Sequence, residues 1–384
     1  MSLLIRGITI LNSMVSVSIF IGITLFIFLL FKRSHKSYAN IFLAFIILLY
    51  VFSLLPGYLY GGHWLKYVPH LSNIGAFIFP LFGPLIYFYS KANTQRGFRL
   101  EPVDALHLIP FFLFVILDPH IFVLTGAEKI NIYEAFLLEG KYDVPIWIRF
   151  CKVAHAIIYY LFAVRLIFQY KKHLTETSSN IDRVYYQWLL LYSSVLIVPI
   201  LSLTLVALTQ YELISITFFA FSYSFLILSV YIAILFKPTL FQRFPNRMES
   251  STTIDEARKK YENSNLQDQQ KERLVKRLIA FVEKEKPYLE PELTLGQLSE
   301  QVDIPVHYLS QIINEKMEQT FGDFINRYRI ERAKAMLLDK QYEQYTIIST
   351  AYEAGFNSKT AFYSAFKKFT GKTPSQYRKL LKTS

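Results

Sequence analysis

Two carboxamides, Gln311 and Asn314, stand three residues apart beside His307 and Ser310. On a helix that spacing makes them neighbours, and a Gln or Asn amide can pair bidentately with the edge of adenine. Leu309, Ile312 and Ile313 fall on the inward side, which leaves His307, Ser310, Gln311 and Asn314 outward. His307 fits ordinary surface as well as it fits a base reader. A second outward set is Lys359, Thr360, Tyr363, Ser364 and Lys367. It is interleaved with Phe362, Phe366 and Phe369, a stripe that reads as core and not as a base-stacking platform. Lys367, Lys368, Lys372, Arg378 and Lys379 are candidate phosphate contacts. Residues 346–384 hold seven basic residues against one acid, Glu353, a footprint suited to phosphate. Such contacts set affinity and its salt dependence more than sequence choice.

A third constellation lies far upstream. Arg149, Lys152 and His155 recur every third residue inside an apolar run, where ionisable groups are costly and face protein or water. With Asp118 and His120 they could line a cationic pocket for an anionic ligand. The plainer alternative is snorkelling to lipid headgroups plus a structural pair with Asp118.

Catalytic patterns are missing. The sequence has no GxxxxGK[ST] loop, no GxGxxG after a strand, no HExxH and no GxSxG. Its eight His are scattered, and one cysteine, Cys151, allows neither a zinc cluster nor an internal disulfide. The expectation is no enzyme, no cofactor and no metal.

The elements that must position these groups follow from a split in composition. The 384 residues carry 41 Lys+Arg and 29 Asp+Glu, net +12, with 53% hydrophobic and 18% charged. Residues 1–240 hold 17 basic and 10 acidic residues, and 241–384 hold 24 and 19. The first part is too apolar for a water-soluble domain, and the second is ordinary soluble protein. The division expected is a sensor or anchor over 1–237, a juxtamembrane linker over 238–270, and a soluble helical domain over 271–384.

Apolar runs of about 20 residues match a bilayer's hydrocarbon thickness. Seven can be drawn: 9–31, 38–58, 70–90, 104–125, 146–170, 186–209 and 214–236. Asp118-Pro119-His120 interrupts the fourth, and Pro56, Pro80, Pro84, Pro110 and Pro199 point to kinked, mutually packed helices. Alternate connections are basic (Lys32, Arg33, Lys36; Lys91, Arg96, Arg99; Lys171, Lys172, Arg183; Lys237, Arg243, Arg247). Lys/Arg-rich connections stay cytoplasmic. The pattern therefore places the N-terminus outside and the C-terminal part in the cytoplasm of an inner-membrane protein. Arg6 alone precedes the first run, which is too long for a cleaved signal and is followed directly by basic residues. Trp64, Trp147 and Trp188 fall near span ends, as interfacial anchors do.

In the second half, a helix from about Asp268 to Lys286 shows apolar positions Leu274, Leu278, Phe281 and Val282. This juxtamembrane helix is also the candidate interface for pairing two chains into a homodimer. Thr294 caps a helix over 295–302, Asp303-Ile304-Pro305 turns, and a second helix covers 306–316. A longer helix runs from Thr320 to Leu338. The short pattern then returns over 346–354, ends at Gly355, and resumes from the Ser358 cap over 359–369. Gly371 stops that helix and Pro374 starts the last. Two helix-turn-helix units about 52 residues apart could enter successive major grooves of B-DNA, about 34 Å apart.

These residues carry a family resemblance. AYEAGFNSKTAFYSAFKKFTGKTPSQYRK (351–379) resembles the C-terminal signature of AraC/XylS-type transcription regulators. Residues 291–337 resemble their first helix-turn-helix and linker helix, and the match covers roughly 271–382. The join to a multi-span segment is similar to a membrane-embedded subset of that family. The resemblance implies an all-α protein in which a seven-span bundle precedes a double helix-turn-helix domain. Its partners would be double-stranded DNA, a lipid bilayer and a small-molecule or membrane signal. Three positions depart from the family pattern: Pro305-Val306 replaces a hydroxyl cap, Thr350 an apolar residue, and Ser364 a frequent Arg. A transporter or receptor whose C-terminal module binds protein is the competing reading.

Overall fold

The computed structural model describes residues 2–31, 37–95, 97–117, 123–139, 145–177, 189–190, 212–236, 241 and 268–382. Among these the secondary structure is helical, without strands. Two compact units separate: Met1–Ile167 with Gln187–Pro245, and Phe168–Tyr186 with Asn246–Ser384.

The first unit begins with α1 (Ser2–Phe31) and α2 (Tyr38–Gly61). It continues through α3 (Ile74–Ile78), α4 (Phe82–Thr94), α5 (Ile109–Leu117), α6 (Gly126–Glu139), α7 (Ile146–Thr177), which belongs to it up to Ile167, and α8 (Glu212–Phe236). α2 is central, packing on α1, α3, α4 and α8. Leu43, Ile46, Ile47 and Tyr50 on it are fully buried, and the Tyr50 ring lies against Phe82 and Tyr223 with centroids 4.9 and 4.8 Å away. α1 approaches α2 closely at Gly22, where a Cβ would come within 2.4 Å of Val51 Cγ2.

Four helical stretches are long and apolar enough to cross a membrane: Asn12–Phe31, Tyr38–Gly61, Ile74–Thr94 and Ile146–Leu174. The third changes character along its length, passing through a 3-10 turn at Phe79–Leu81, where Pro80 offers no backbone N–H. In the fourth apolar run the described stretch Pro102–Leu117 is apolar and helical, in tight 3-10 turns up to Leu108 and α-helix after. Its outer end, 118–122, lies outside the described residues. The seventh run forms α8, apolar and described in side-chain detail from Ala220. The sixth, 186–209, lies outside the described residues except for 189–190.

α6 occupies a connection that the hydropathy pattern leaves without an element. Its start is a reciprocal cap in which the Thr125 N–H and Oγ1 both lie 2.7 Å from Glu128 Oε2, the S/T-x-x-E signature. Lys129 Nζ then reaches His70 Nδ1 at 2.8 Å.

In the second unit, α9 (Asp268–Glu285), α10 (Leu295–Val302), α11 (Val306–Gln311) and α12 (Phe321–Leu338) precede α13 (Ile347–Glu353), α14 (Lys359–Thr370) and α15 (Pro374–Lys382). Two cores result. Leu278 and Val282 of α9 pack with Leu295, Leu298, Leu309, Ile312 and Ile313. Ala351, Phe356, Phe362 and Phe366 form the other. α12 belongs to both: Phe321, Phe324 and Ile325 enter the first, Ile330 and Ala333 the second.

Candidate nucleic-acid interface

Local chemistry sets each element of the first helix-turn-helix. Thr294 caps α10 reciprocally with Gln297, Gln297 N lying 3.3 Å from Thr294 Oγ1 and Thr294 N 2.9 Å from Gln297 Oε1. Asp303 ends that helix in the left-handed region at φ 51°. Pro305 precedes α11 with no side-chain cap, as the missing hydroxyl required. The helix expected over 306–316 is α-helical only to Gln311 and then widens over Ile312–Lys316, where Met317 N donates to Ile312 O at 3.2 Å. Such wide turns recur at functional sites.

Leu309, Ile312 and Ile313 are buried as expected. Asn314 is exposed, while Ser310, Gln311 and His307 are half-buried. His307 is thus not the freely exposed side chain the spacing suggested: its ring lies 3.9 Å from that of Tyr308, and burial pulls its pKa below the usual imidazole value. Gln311 Nε2 donates to Glu315 at 3.0 and 3.2 Å, and Asn314 Nδ2 donates to Ser310 Oγ at 3.3 Å.

α14 is held at both ends. Ser358 Oγ accepts from Ala361 N at 3.2 Å, and Gly371 closes the helix at φ 72°. Phe362 and Phe366 are fully buried, and Phe369 packs against the same core. Lys359, Thr360 and Lys367 are exposed, and Tyr363 and Ser364 half-buried; Lys359 Nζ sits 5.5 Å from the Tyr363 ring centre. Thr350 is buried without penalty, because its hydroxyl donates to Thr346 O at 3.2 Å.

The phosphate candidates divide. Lys367, Lys372 and Lys379 are exposed. Lys368 is exposed as well, and pairs at the surface with Asp323 of α12 at 2.6 Å. Arg378 donates to the carbonyls of Tyr345, at 2.8 Å, and of Glu343, so its guanidinium braces the turn before α13 and is not directed outward.

α9 packs its apolar face into the first core, with Leu278 and Val282 fully buried. Ion pairs reinforce the docking: Lys271 with Glu315 at 2.9 Å, Lys316 with Asp268 at 2.8 Å, and Arg277 with Asp303 at 3.0 Å. The Lys271 hydrogen bond holds the Glu315 carboxyl below its ordinary pKa, and Lys316 does the same to Asp268.

One functional group escaped the sequence. Arg329 is fully buried. Its Nε donates to Tyr288 O at 2.7 Å and its Nη2 to Glu290 O at 2.6 Å. Burial lowers its pKa to about 10, so it stays charged at neutral pH. Glu315 also escaped, although its place one turn beyond Gln311 was a readable i,i+4 relationship.

In the first unit, Lys152 is only 6% exposed, which puts it inside the bundle and rules out snorkelling in this conformation. Its Nζ lies 3.5 Å from Ala76 O and 5.9 Å from the Phe114 ring centre. His155 is half-buried, its ring 6.0 Å from Phe114 and 4.9 Å from Tyr159. Both its nitrogens are shielded and without a hydrogen-bond partner among the described residues. Tyr159 Oη in turn lies 2.7 Å from His107 Nδ1. Arg149 is half-buried. Asp118 and His120 lie outside the described residues. No group of three or more His, Cys, Asp or Glu among the described residues is placed to hold a metal ion.

Known proteins match the same C-terminal part. A family model described as a helix-turn-helix domain matches residues 298–380. The melibiose operon regulatory protein of Escherichia coli (strain K12) is 36% identical over 88 residues, 23% of this chain and 28% of that protein. An uncharacterized HTH-type transcriptional regulator of Staphylococcus aureus (strain COL) is 41% identical over 87 residues, 23% of this chain and 11% of that protein. A solved structure of a Listeria innocua protein of unknown function is 30% identical, covering 28% of this chain and 95% of that one with a TM-score of 0.25. The chain thus spans 28% and 11% of the two curated relatives. With both helix-turn-helix units built, the C-terminal part of this chain is a helix-turn-helix domain of the AraC type, similar to the domains of these regulators.

Proposed function

We propose that the chain is a signal-responsive transcription regulator held in the bacterial inner membrane. Seven spans over 1–237 sense a small molecule or a membrane signal, 238–270 links, and 271–384 reads DNA on the cytoplasmic side. The N-terminus lies outside. One observation carries this reading: a double helix-turn-helix with two complete cores shares its chain with helices that are apolar inside and outside alike. On α1, Val15, Leu25 and Leu29 are buried while Phe20, Ile23 and Ile27 are exposed. That all-round apolarity suits hydrocarbon as solvent.

In mechanism, a shift in the seventh span passes through the linker to α9. Because α9 is part of the first core and is ion-paired to the turn after α11, it acts as a handle on the reader. A ligand drives the change only by its differential affinity for the two poses. The sensing set within the apolar unit is Lys152, His155 and Arg149 of the fifth run, with Asp118 and His120 of the fourth.

The second reading, a transporter or receptor whose helical module binds protein, draws on the internal engagement of Lys368 and Arg378, which leaves fewer arms for phosphate. Fusing the intact chain at its C-terminus to reporters active only in the cytoplasm or only in the periplasm tests the topology, and selection of specific DNA by the intact chain separates the two readings. Cytoplasmic activity in the membrane fraction supports the proposal. Periplasmic activity, or a chain recovered outside the membrane fraction, rejects it.

A further inference from the structure

The chain is held at one point after its last apolar helix. α8 ends at Phe236, and beyond it Phe241 is only 3% exposed. Its carbonyl oxygen accepts from Asn40 Nδ2 at 2.7 Å. A carbonyl can only accept, so the Asn40 amide presents its nitrogen there. Asn40 lies in the first turn of α2, where its backbone N–H meets the Ser37 Oγ cap at 3.2 Å, and it is 4% exposed. The first unit runs on to Pro245, so the start of the linker belongs to the sensor and is fastened to α2.

α2 is the helix best placed to move that fastening. At the same end Tyr38 meets Phe98 with ring centres 5.6 Å apart, and Phe42 stacks on Phe88 at 5.5 Å. Farther along, Tyr50 lies against Tyr223 of α8. α2 also packs on α3, whose Ala76 carbonyl oxygen lies 3.5 Å from Lys152 Nζ. A movement of α8 relative to α2 therefore shifts the covalent attachment of Phe241 against its anchor. Hydrogen bonds weaken steeply with distance and angle, so the end of α2 either follows or lets go. We propose that the Asn40–Phe241 contact is a latch: closed, it holds the start of the juxtamembrane linker against α2, and signalling opens it. The latch rests on the reading of the chain as a membrane-bound regulator, and adds that the signal leaves the sensor through α2 as well as through the seventh span.

The test uses the full chain in inside-out membrane vesicles, with no signal added. Duplexes enriched by wild-type vesicles from randomised DNA serve as the probe for wild type, Asn40→Leu and Phe241→Ala. Asn40→Leu removes the donor; Phe241→Ala removes the buried ring and leaves α2 intact, so the test survives if the first variant does not fold. The latch itself is read by labelling Phe241→Cys with a water-soluble maleimide in a Cys151→Ser chain, with and without Asn40→Leu. Labelling is expected to quicken by about tenfold when Asn40 is lost, the factor set by one net hydrogen bond. DNA binding by both variants is expected to rise by about fivefold or more, because a released linker widens the poses open to the reader. Faster labelling with DNA binding at or below the wild-type level makes the contact merely structural and overturns the latch, as does unchanged labelling. Wild-type vesicles that enrich no sequence overturn the regulator reading, and the latch with it, whatever the labelling shows.

Discussion

Arg329 donates from Nε to the Tyr288 carbonyl oxygen at 2.7 Å, and this bond crosses the seam between the two helix-turn-helix cores. Arg329 sits on α12 between Ile325 of the first core and Ile330 of the second. Its guanidinium also faces the Phe356 ring, 5.6 Å away. Gly355 meets the same spot from the other side: a Cβ there would lie 2.4 Å from Tyr288 O and 3.1 Å from Arg329 Nε. One buried charge and one side-chain-free residue thus fix how the two units are joined.

Removing either should loosen the seam. Arg329→Ala is expected to cost about 3–5 kcal/mol, since it strips charged donors from buried carbonyls. Gly355→Ala places a side chain at φ 91°, about 1–3 kcal/mol from backbone strain alone, before the clash is counted. Hydrogen exchange at 287–290 and 355–357 reports both. Unchanged protection in either variant would contradict the seam's role.

Salt dependence should sort the basic residues. Lys367→Ala, Lys372→Ala and Lys379→Ala are each expected to weaken DNA binding across sequences and lower the salt slope by about one. Lys368→Ala and Arg378→Ala should instead lower the melting temperature of the DNA-free chain, because their partners are Asp323 and the carbonyls of Tyr345 and Glu343. Binding titrations at several salt concentrations, with melting curves beside them, distinguish the two groups.

Acid should weaken the α9 docking. Glu315 has a folded-state pKa depressed below its ordinary 4.5 by Lys271. Its contribution is therefore present above that ordinary value and lost as pH falls through the folded one. With Glu315 half-exposed, the loss is under about 1 kcal/mol. His307 acts in the same direction at higher pH. Burial lowers its pKa from 6.5, so the unfolded chain takes up the proton first and stability declines as pH drops below that value. Stability measured from pH 7 to 5 should fall less in His307→Gln than in wild type, and Glu315→Gln should flatten the decline below pH 4.5.

The ionisable groups inside the first unit should matter to signalling and not to DNA affinity. Lys152→Met and His155→Phe, in correctly inserted protein, are expected to shift the reporter dose response to the inducing signal while DNA binding in vitro stays at the wild-type level. Dose responses that overlay those of wild type would retire the sensing site.

Much of the reader was legible because its signals are local. Thr294, Ser358, Gly355 and Gly371 mark helix ends through their own backbone chemistry, and Leu309, Phe362 and Phe366 announce the core by spacing. What escaped depends on tertiary partners. Nothing near Arg329 in sequence says that two carbonyls forty residues upstream await it, and the engagement of Lys368 by Asp323 is equally remote. Thr125-x-x-Glu128 is a local cap legible in the sequence that the hydropathy pattern passes over, so α6 went unseen. In the apolar unit, hydropathy marks a run but not the 3-10 turns inside it, at Phe79–Leu81 and Pro102–Leu108.

The joining of membrane residence to gene reading is tested most directly by chromatin capture with the intact chain. Cells are cross-linked, the membrane fraction isolated, and the DNA bound to full-length protein sequenced. Sharp enrichment of a few loci with uncleaved protein, lost in Gln311→Ala, is the predicted result. Recovery of no specific DNA in that fraction, or of specific DNA only with a released soluble fragment, would contradict it.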